Sequence, residues 1–237
     1  SQEVRINLTL RNYQELIISS DGSGILESPN KNSIDIISGS LEVDYIFLEE
    51  DERKIFTENN LQYLITQTQV YPKSLDTTDY NNVIVDFNFN HLVSELIWVI
   101  QNSNVLNTYS YGGNEWFNFS TQSYKNGNLT GNDPMINGKF LIEGNDLTEE
   151  KDSKYYKVVV PYQRHTNVPN NYIYVYSFSL HPEEYQPSGT CNFSRIDSSI
   201  LQMRLSEELV KPIIQIFAVN YNILNIANGM AGIEYSN

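Results

Sequence analysis

The sequence predicts an all-β protein, an antiparallel β-sandwich of the Greek-key or jelly-roll type with one short helix and long loops. Three observations lead to this fold class. Apolar and polar residues alternate with a period of two along much of the chain, which is the pattern of strands buried on one face. The 17 tyrosines and the many β-branched residues favour strands. Glycine, proline and asparagine cluster between the apolar runs, where turns are expected.

Seven segments carry this alternation and are predicted as strands. In the second of them the apolar face would consist of Leu41, Val43, Tyr45 and Phe47. In chain order, the predicted strands are residues 4–11, 40–47, 83–90, 172–180, 200–206, 213–226 and 231–236.

One helix is predicted near residues 49–60. There Glu49 and Glu50 each stand four residues before a basic residue, a spacing that stabilises helices. Leu48, Ile55 and Phe56 would share one face of this helix. The segment 116–137 shows little alternation, and it is predicted to be a long excursion from the sheets.

Length and charge limit the possible functions. The chain has 237 residues and a mass of 27.3 kDa, enough for one large domain with its own core. A single cysteine cannot form an intrachain disulfide. The formal net charge is −14 without any run of basic residues, so neither nucleic acid nor an anionic membrane is an expected partner. The apolar stretches are too short to span a bilayer, so membrane insertion is not expected.

The sequence offers no catalytic or metal-binding constellation, and we expect neither an enzyme nor a metal or cofactor site. His91, His165 and His181 are isolated from one another, whereas a metal-binding jelly roll would need a closely spaced histidine pair and a carboxylate. Cys191 could be a nucleophile only beside a histidine that lowers its pKa. The acidic run at 49–52 is explained by the first turn of the helix, where negative charge is favourable.

Longer motifs carry a resemblance to a known family. Residues 172–197 read YIYVYSFSLHPEEYQPSGTCNFSRID, and residues 221–237 read YNILNIANGMAGIEYSN. Upstream stand VDYIFLEEDERKIF at 43–56, LQYLITQTQ at 61–69, FNHLVSELIWVIQ at 89–101 and PYQRHTNVP at 161–169. In this order and spacing they resemble the major capsid proteins of nucleocytoplasmic large DNA viruses, which include iridovirus-, phycodnavirus- and mimivirus-like proteins. Leu61, Leu92 and Ser94 depart from the family pattern, which indicates a divergent member.

The resemblance implies a double jelly-roll capsid protein, in which two eight-stranded jelly rolls of one chain stand side by side. Residues 1–237 would be a single jelly-roll domain that corresponds to the second, C-terminal one, and the upstream jelly roll would be absent from this chain. The segment 1–40 would supply the opening strand region of this domain. Three full chains would form a trimeric capsomer with a pseudo-sixfold outline in an icosahedral shell.

The implied location is the virion, with assembly in the host cytoplasm. The implied partners are further copies of the chain, neighbouring capsomers and minor capsid proteins. Surface glycans are a further option, because four N-x-S/T sequons stand at Asn7, Asn118, Asn128 and Asn192. Four is about the number that chance predicts in so asparagine-rich a chain. Asn118 and Asn128 lie in the predicted long loop and are the best surface candidates.

The motif residues are predicted to act structurally. Pro187 fixes φ and Gly189 can adopt a positive φ, so the QPSGT segment would form a rigid corner that Arg195 and Asp197 pin by charge-assisted hydrogen bonds. Gly229 would belong to a hairpin turn, and Gly232 would permit close backbone approach. The predicted set is Gln186, Pro187, Ser188, Gly189, Cys191, Asn192, Arg195, Asp197, Gly229 and Gly232.

Trimer contacts require apolar side chains that are exposed on the single chain. The candidates are aromatic residues in loop-like stretches, whose alternative role is packing beneath their own loops: Tyr71, Trp116, Phe117, Phe119 and Tyr124. Two other functions stay open at this point. One is a carbohydrate-binding β-sandwich in which Trp116 stacks on a sugar, and the other is a minor capsid protein with a single jelly roll.

Overall fold

Two antiparallel sheets packed face to face form the body of the protein. The computed structural model describes residues 5–12, 15–16, 38–76, 79–106, 113–123, 131–228 and 230–235. Within these residues the strands are β1 (Leu61–Ser74), β2 (Val83–Phe87), β3 (Leu92–Gln101), β4 (Met135–Ile142), β5 (Asn145–Asp146), β6 (Lys151–Asp152), β7 (Ile173–Ser177), β8 (Cys191–Asn192), β9 (Ser199–Leu205), β10 (Ile213–Ala227) and β11 (Met230–Ile233).

The strand order is that of a jelly roll. The first sheet has the order β1-β10-β3-β7, with β11 paired to the end of β10 and β8 to the start of β3. The second sheet has the order β2-β9-β4-β5, with β6 also paired to β4. With β8 and β11 counted as short additions to the first sheet, and β5 and β6 counted as one position, eight positions fill two four-stranded sheets. The predicted jelly-roll sandwich is therefore confirmed.

An aromatic cluster fills the space between the sheets. Trp98 of β3 is fully buried, and its ring centroid lies 5.2 Å from that of Phe140, 5.1 Å from that of Tyr156 and 5.6 Å from that of Tyr174. These residues come from both sheets and from a helix, so the cluster joins three parts of the chain. Aromatic pairs at such separations add about 0.5–1.5 kcal/mol beyond the effect of their burial.

Two of the predicted strands are wrong for this chain. Residues 5–12 and 38–49 form neither helix nor strand, and every described strand lies between Leu61 and Ile233. The other five predicted strands correspond to β2, β7, β9, β10 and β11. A strand requires a hydrogen-bonding neighbour, and neither segment pairs with any of the described strands.

The predicted helix is confirmed as α1 (Glu50–Glu58). Glu49 and Glu52 form a capping box at its start, and Lys54 lies 3.8 Å from Glu50 and 3.5 Å from Asp51. None of its residues is buried.

Further helical segments are present that the sequence pattern did not indicate. They are α2 (Ser103–Leu106), a π-helix (Tyr155–Val159) that continues into α3 (Val160–Arg164), and a 3₁₀ turn (Phe193–Arg195). Pro161 lies in the first turn of α3, where its missing N–H is tolerated. Burial raises the pKa of the Tyr156 phenol to about 12, and its hydroxyl donates to the Gly138 carbonyl over 3.0 Å.

Asp133 connects this helical segment to the sandwich. Its carboxylate accepts hydrogen bonds from Lys157 Nζ at 2.5 Å, from Ser153 Oγ at 2.7 Å and from the Tyr174 hydroxyl. Lys157 and Asp133 are 17% and 21% exposed, so the ion pair is mostly shielded from water. Such a pair is costly to break, because the remaining partner keeps a poorly solvated charge.

Candidate assembly surfaces

The predicted corner is a compact turn anchored in the core. The Ser188 and Ser179 hydroxyl oxygens are 2.6 Å apart, and Ser188 Oγ also accepts from the His181 backbone N–H at 2.8 Å. Gly189 has a φ of +152°, and a Cβ there would lie 2.6 Å from the Phe178 carbonyl oxygen. The segment then pairs with β3 through β8. The corner therefore requires glycine for both backbone conformation and space.

Phe193, which follows β8, anchors the segment after the QPSGT turn in the core. Its buried ring lies within 6.4 Å of the rings of Phe87, Phe89 and Phe178, centroid to centroid. The Asn192 side chain accepts from the Ser194 N–H at 3.2 Å. These contacts explain why this segment holds its shape without a disulfide or a metal.

The predicted roles of Arg195 and Asp197 are wrong. With the residues that the structure describes, neither side chain makes a hydrogen bond or an ion pair. Glu143, in the turn after β4, instead holds the backbone that follows the corner: its Oε1 accepts from the Asp197 N–H at 2.5 Å and from the Ser198 N–H at 3.1 Å. The QPSGT turn itself is held by the Ser188 hydrogen bonds.

The remaining glycines, proline and glutamine of the predicted set lie at the surface or outside the described residues. Gln186 and Pro187 are exposed. Gly232 has open space around the position of a Cβ, so the predicted close backbone approach is absent there. Gly229 lies outside the described residues.

The five aromatic candidates differ in their accessibility. Tyr71 lies within β1 and packs against the core instead of standing in a loop. Trp116 and Phe119 are half-buried, whereas Phe117 is 80% exposed. Tyr124 lies outside the described residues. Phe117 is therefore the most exposed of the candidates that the structure describes.

The Trp116 ring is already occupied within the chain. The Arg11 guanidinium carbon lies 3.9 Å from the ring centroid, and Trp116 Nε1 donates to the Glu15 carbonyl at 2.8 Å. A sugar that stacked on this face would have to displace Arg11. This arrangement gives no support to a carbohydrate-binding role for Trp116.

An apolar cleft of about 860 Å³ lies on the outer face of the first sheet. The outward side chains of β3, β7 and β10 form its floor, and the 113–123 loop forms one wall. Its lining includes Ile97, Val99, Ile173, Ile213, Phe217, Trp116, Phe117 and Phe119.

A buried ion pair lies elsewhere on the outer face of this sheet. His165 Nε2 and Glu95 Oε2 are 2.9 Å apart, and the two side chains are 15% and 10% exposed. The hydrogen bond to Glu95 raises the pKa of the His165 imidazole, although burial opposes the rise. His165 Nδ1 is buried and has no hydrogen-bond partner among the described residues. Within these residues, the contact with Glu95 is therefore the one hydrogen bond of the imidazole ring.

The described residues contain no group of three or more His, Cys, Asp and Glu side chains that could hold a metal ion. Burial raises the pKa of the half-buried Cys191 thiol, which disfavours the reactive thiolate. Over the described parts of the chain, no helix is long and apolar enough to cross a membrane.

Asn118 is not available for glycosylation in the folded chain. It is fully buried, and its side-chain nitrogen donates to Glu115 Oε2 at 2.6 Å and to the Gln122 carbonyl at 2.8 Å. The expectation that it is a surface site is therefore wrong. Asn128 lies outside the described residues, and Asn7 is exposed.

Comparison with known proteins identifies the family. The family model of the large eukaryotic DNA virus major capsid protein matches residues 52–232. The chain belongs to this family. Among its relatives, the major capsid protein of Phaeocystis pouchetii virus is 34% identical over 99% of this chain and 60% of its own length. That of Paramecium bursaria Chlorella virus 1 is 29% identical over 95% of this chain and 61% of its own length.

Solved capsid structures show the same fold. The PBCV-1 virus capsid matches with a TM-score of 0.67 and 28% identity, covering 81% of this chain and 56% of that chain. The Faustovirus major capsid protein, at 14% identity and a TM-score of 0.59, shares the fold. This chain spans about 60% of the length of its curated capsid relatives.

Proposed function

We propose that the sandwich of this chain, Leu61 to Ile233, is the C-terminal jelly roll of a double jelly-roll major capsid protein and that it helps to build the shell of a large DNA virus. One observation carries the proposal. The span of the capsid family model, residues 52–232, coincides with the span of the sandwich, Leu61 to Ile233. The likeness to the PBCV-1 virus capsid supports the same assignment.

In this proposal three full-length chains form a trimeric capsomer with a pseudo-sixfold outline. Two similar sandwiches in each of three chains supply six similar units around a threefold axis. The partners are further copies of the protein, neighbouring capsomers and minor capsid proteins. The protein resides in the virion after assembly in the host cytoplasm.

Such a subunit acts through its shape, and no reaction has to be catalysed. A rigid body is supplied by two sheets that share one aromatic core. Contacts are supplied by surface segments that can vary without disturbing that core. Phe117, Tyr162 and Tyr185 are 80%, 78% and 73% exposed, and they are accessible aromatic anchors of the kind that interfaces favour.

Net charge opposes assembly in this proposal. Each chain carries a formal charge of −14, so subunits repel one another at low ionic strength. The contacts must then lie in apolar patches from which charge is depleted. Trimer formation should therefore strengthen with salt, because screening acts over about 10 Å at 0.1 M.

The test uses the full-length protein. Sedimentation should give three times the subunit mass, the trimer should be favoured by added salt, and electron microscopy should show hexagonal outlines. Mass spectrometry of purified virions should find this chain among the abundant proteins. A monomer at all salt concentrations that is absent from virions would overturn the proposal.

A pair of variants tests where the contact lies. Phe117→Ser should weaken the trimer, because it removes an exposed aromatic ring at the edge of the apolar cleft. Ile84→Ser removes an apolar side chain that is 54% exposed on the second sheet, and it serves as the control. Equal loss of trimer in both variants would argue against a contact centred on Phe117.

A further inference from the structure

The segment 40–47 has the sequence of a strand but pairs with none of the strands that the structure describes. Its apolar side chains alternate with Ser40, Glu42 and Asp44, yet the segment joins no described strand. These apolar side chains are largely open to solvent: Leu41 is 68% exposed, Val43 53%, Tyr45 78% and Phe47 92%. Such a row of exposed large apolar residues is typical of a surface that another element covers.

The jelly roll is complete without this segment. All eight strand positions are filled between Leu61 and Ala227, and the first sheet begins with β1 itself. The family model also begins after the segment, at residue 52. The alternation at 40–47 therefore belongs to a different sheet.

Helix α1 points to the same conclusion. It connects the segment to β1, and Ile55 and Phe56 on its surface are 51% and 43% exposed. A helix of nine residues with no buried residue has an apolar side that the described residues leave largely exposed.

The length of the relatives indicates what covers these residues. The chain matches 60% of the Phaeocystis pouchetii virus protein, so the rest of that protein has no counterpart here. We propose that residues 40–47 form a strand in a second β-sheet, built by the part of the full-length polypeptide that lies outside this chain. The boundary between the two domains then lies at α1, between the strand at 40–47 and β1. This inference requires family membership and is independent of the trimer.

Hydrogen exchange on the full-length protein tests the inference. The amides of residues 40–47 should exchange about a thousandfold more slowly in the full-length protein than in this 237-residue chain, as expected for a paired strand. The amides of β3 and β10 should be protected in both. Fast exchange at 40–47 in the full-length protein would overturn the inference, whether or not trimers form.

A crosslinking experiment identifies the partner. Tyr45 is replaced by a photoreactive aromatic residue, and trimers are assembled from a mixture of isotopically light and heavy subunits. We expect crosslinks from position 45 to peptides that carry the same label and lie outside residues 1–237. Mixed-label crosslinks, or crosslinks to β1, would overturn the inference because another copy or the edge of this sandwich would then hold the segment.

A matched pair of variants supplies an independent check. Val43→Asp places a charge on the apolar face of the segment and should abolish most of the protection at 40–47 while β3 and β10 stay protected. Asp44→Asn changes the opposite face and should leave the protection unchanged. Equal effects of the two variants would contradict a strand that is buried on one face.

Discussion

Replacing Glu95 by glutamine should destabilise the sandwich by an amount that shrinks as the pH rises. Glutamine keeps the size of glutamate but offers the His165 imidazole no negative charge. The pair is mostly buried, with 2.9 Å between Nε2 and Oε2. A hydrogen bond to a charged group contributes about 1.5–3 kcal/mol and a neutral one about 1 kcal/mol. The expected loss is the difference, about 0.5–2 kcal/mol while His165 is protonated.

The sign of the pH dependence follows from the direction of the pKa shift. The hydrogen bond to Glu95 raises the pKa of His165 in the folded chain above its value in the unfolded chain. The stabilisation is then fully present below the unfolded-state pKa, about 6.5. It is lost as the pH rises through the higher folded-state value, because both states are then deprotonated.

Thermal unfolding of the wild type and of Glu95→Gln at about pH 6 and about pH 9 measures the effect on either side of the ordinary histidine pKa. A loss of about 0.5–2 kcal/mol corresponds to about 1–8 °C in a domain of this size. Glu183→Gln is the control, because Glu183 is an exposed carboxylate near the same histidine and accepts from the Thr166 N–H at 2.9 Å. A difference in Tm between wild type and Glu95→Gln that stays constant or grows with pH would refute this reasoning.

Three further predictions concern the ion pair at Asp133, the corner and the thiol. Asp133→Asn should lower the free energy of unfolding by about 3 kcal/mol, because it breaks a shielded ion pair. Asp146→Asn, at a 51% exposed carboxylate, is the control and should cost less than about 1 kcal/mol. Equal urea midpoints for Asp133→Asn and Asp146→Asn would contradict the prediction. Gly189→Ala should cost about 1–3 kcal/mol because of its positive φ and the carbonyl 2.6 Å away. Gly232→Ala, in open space, should be neutral in the same urea titration, and similar losses would show that the corner does not need glycine. Cys191 should react with iodoacetamide at least about tenfold more slowly in the native chain than in urea, whereas equal rates would show an accessible thiolate.

Local patterns predicted the strands that are buried on one face. In β9 and β10 buried and less buried residues alternate, and both strands lie where the sequence places them. β3 has burial on both faces over most of its length, so its sequence LVSELIWVI shows no clean alternation. The helix after residue 155 contains a run of three valines and a proline, whose local preferences oppose a helix.

The glycine of the corner was predicted from local sequence, but two long-range polar contacts elsewhere in the sandwich were not. Glu143 lies 54 residues before Asp197, and Glu95 lies 70 residues before His165. Such partners meet only when the two sheets assemble, and no local spacing reveals them. The segment 40–47 illustrates the opposite case, because its alternation is clear but neither described sheet includes it.

The pairing of β1 with β10 determines when this domain can fold during synthesis. Leu61 pairs with Ile226 and Val83 with Met203, so the first strand of each sheet can pair only after a strand near the end of the chain has been synthesised. A ribosome must therefore release nearly the whole domain before either sheet can close. Until then β1 and β2 expose their apolar residues, which makes the nascent chain prone to aggregation. Abundant synthesis of this chain thus places a demand on the chaperones of the cell that makes it.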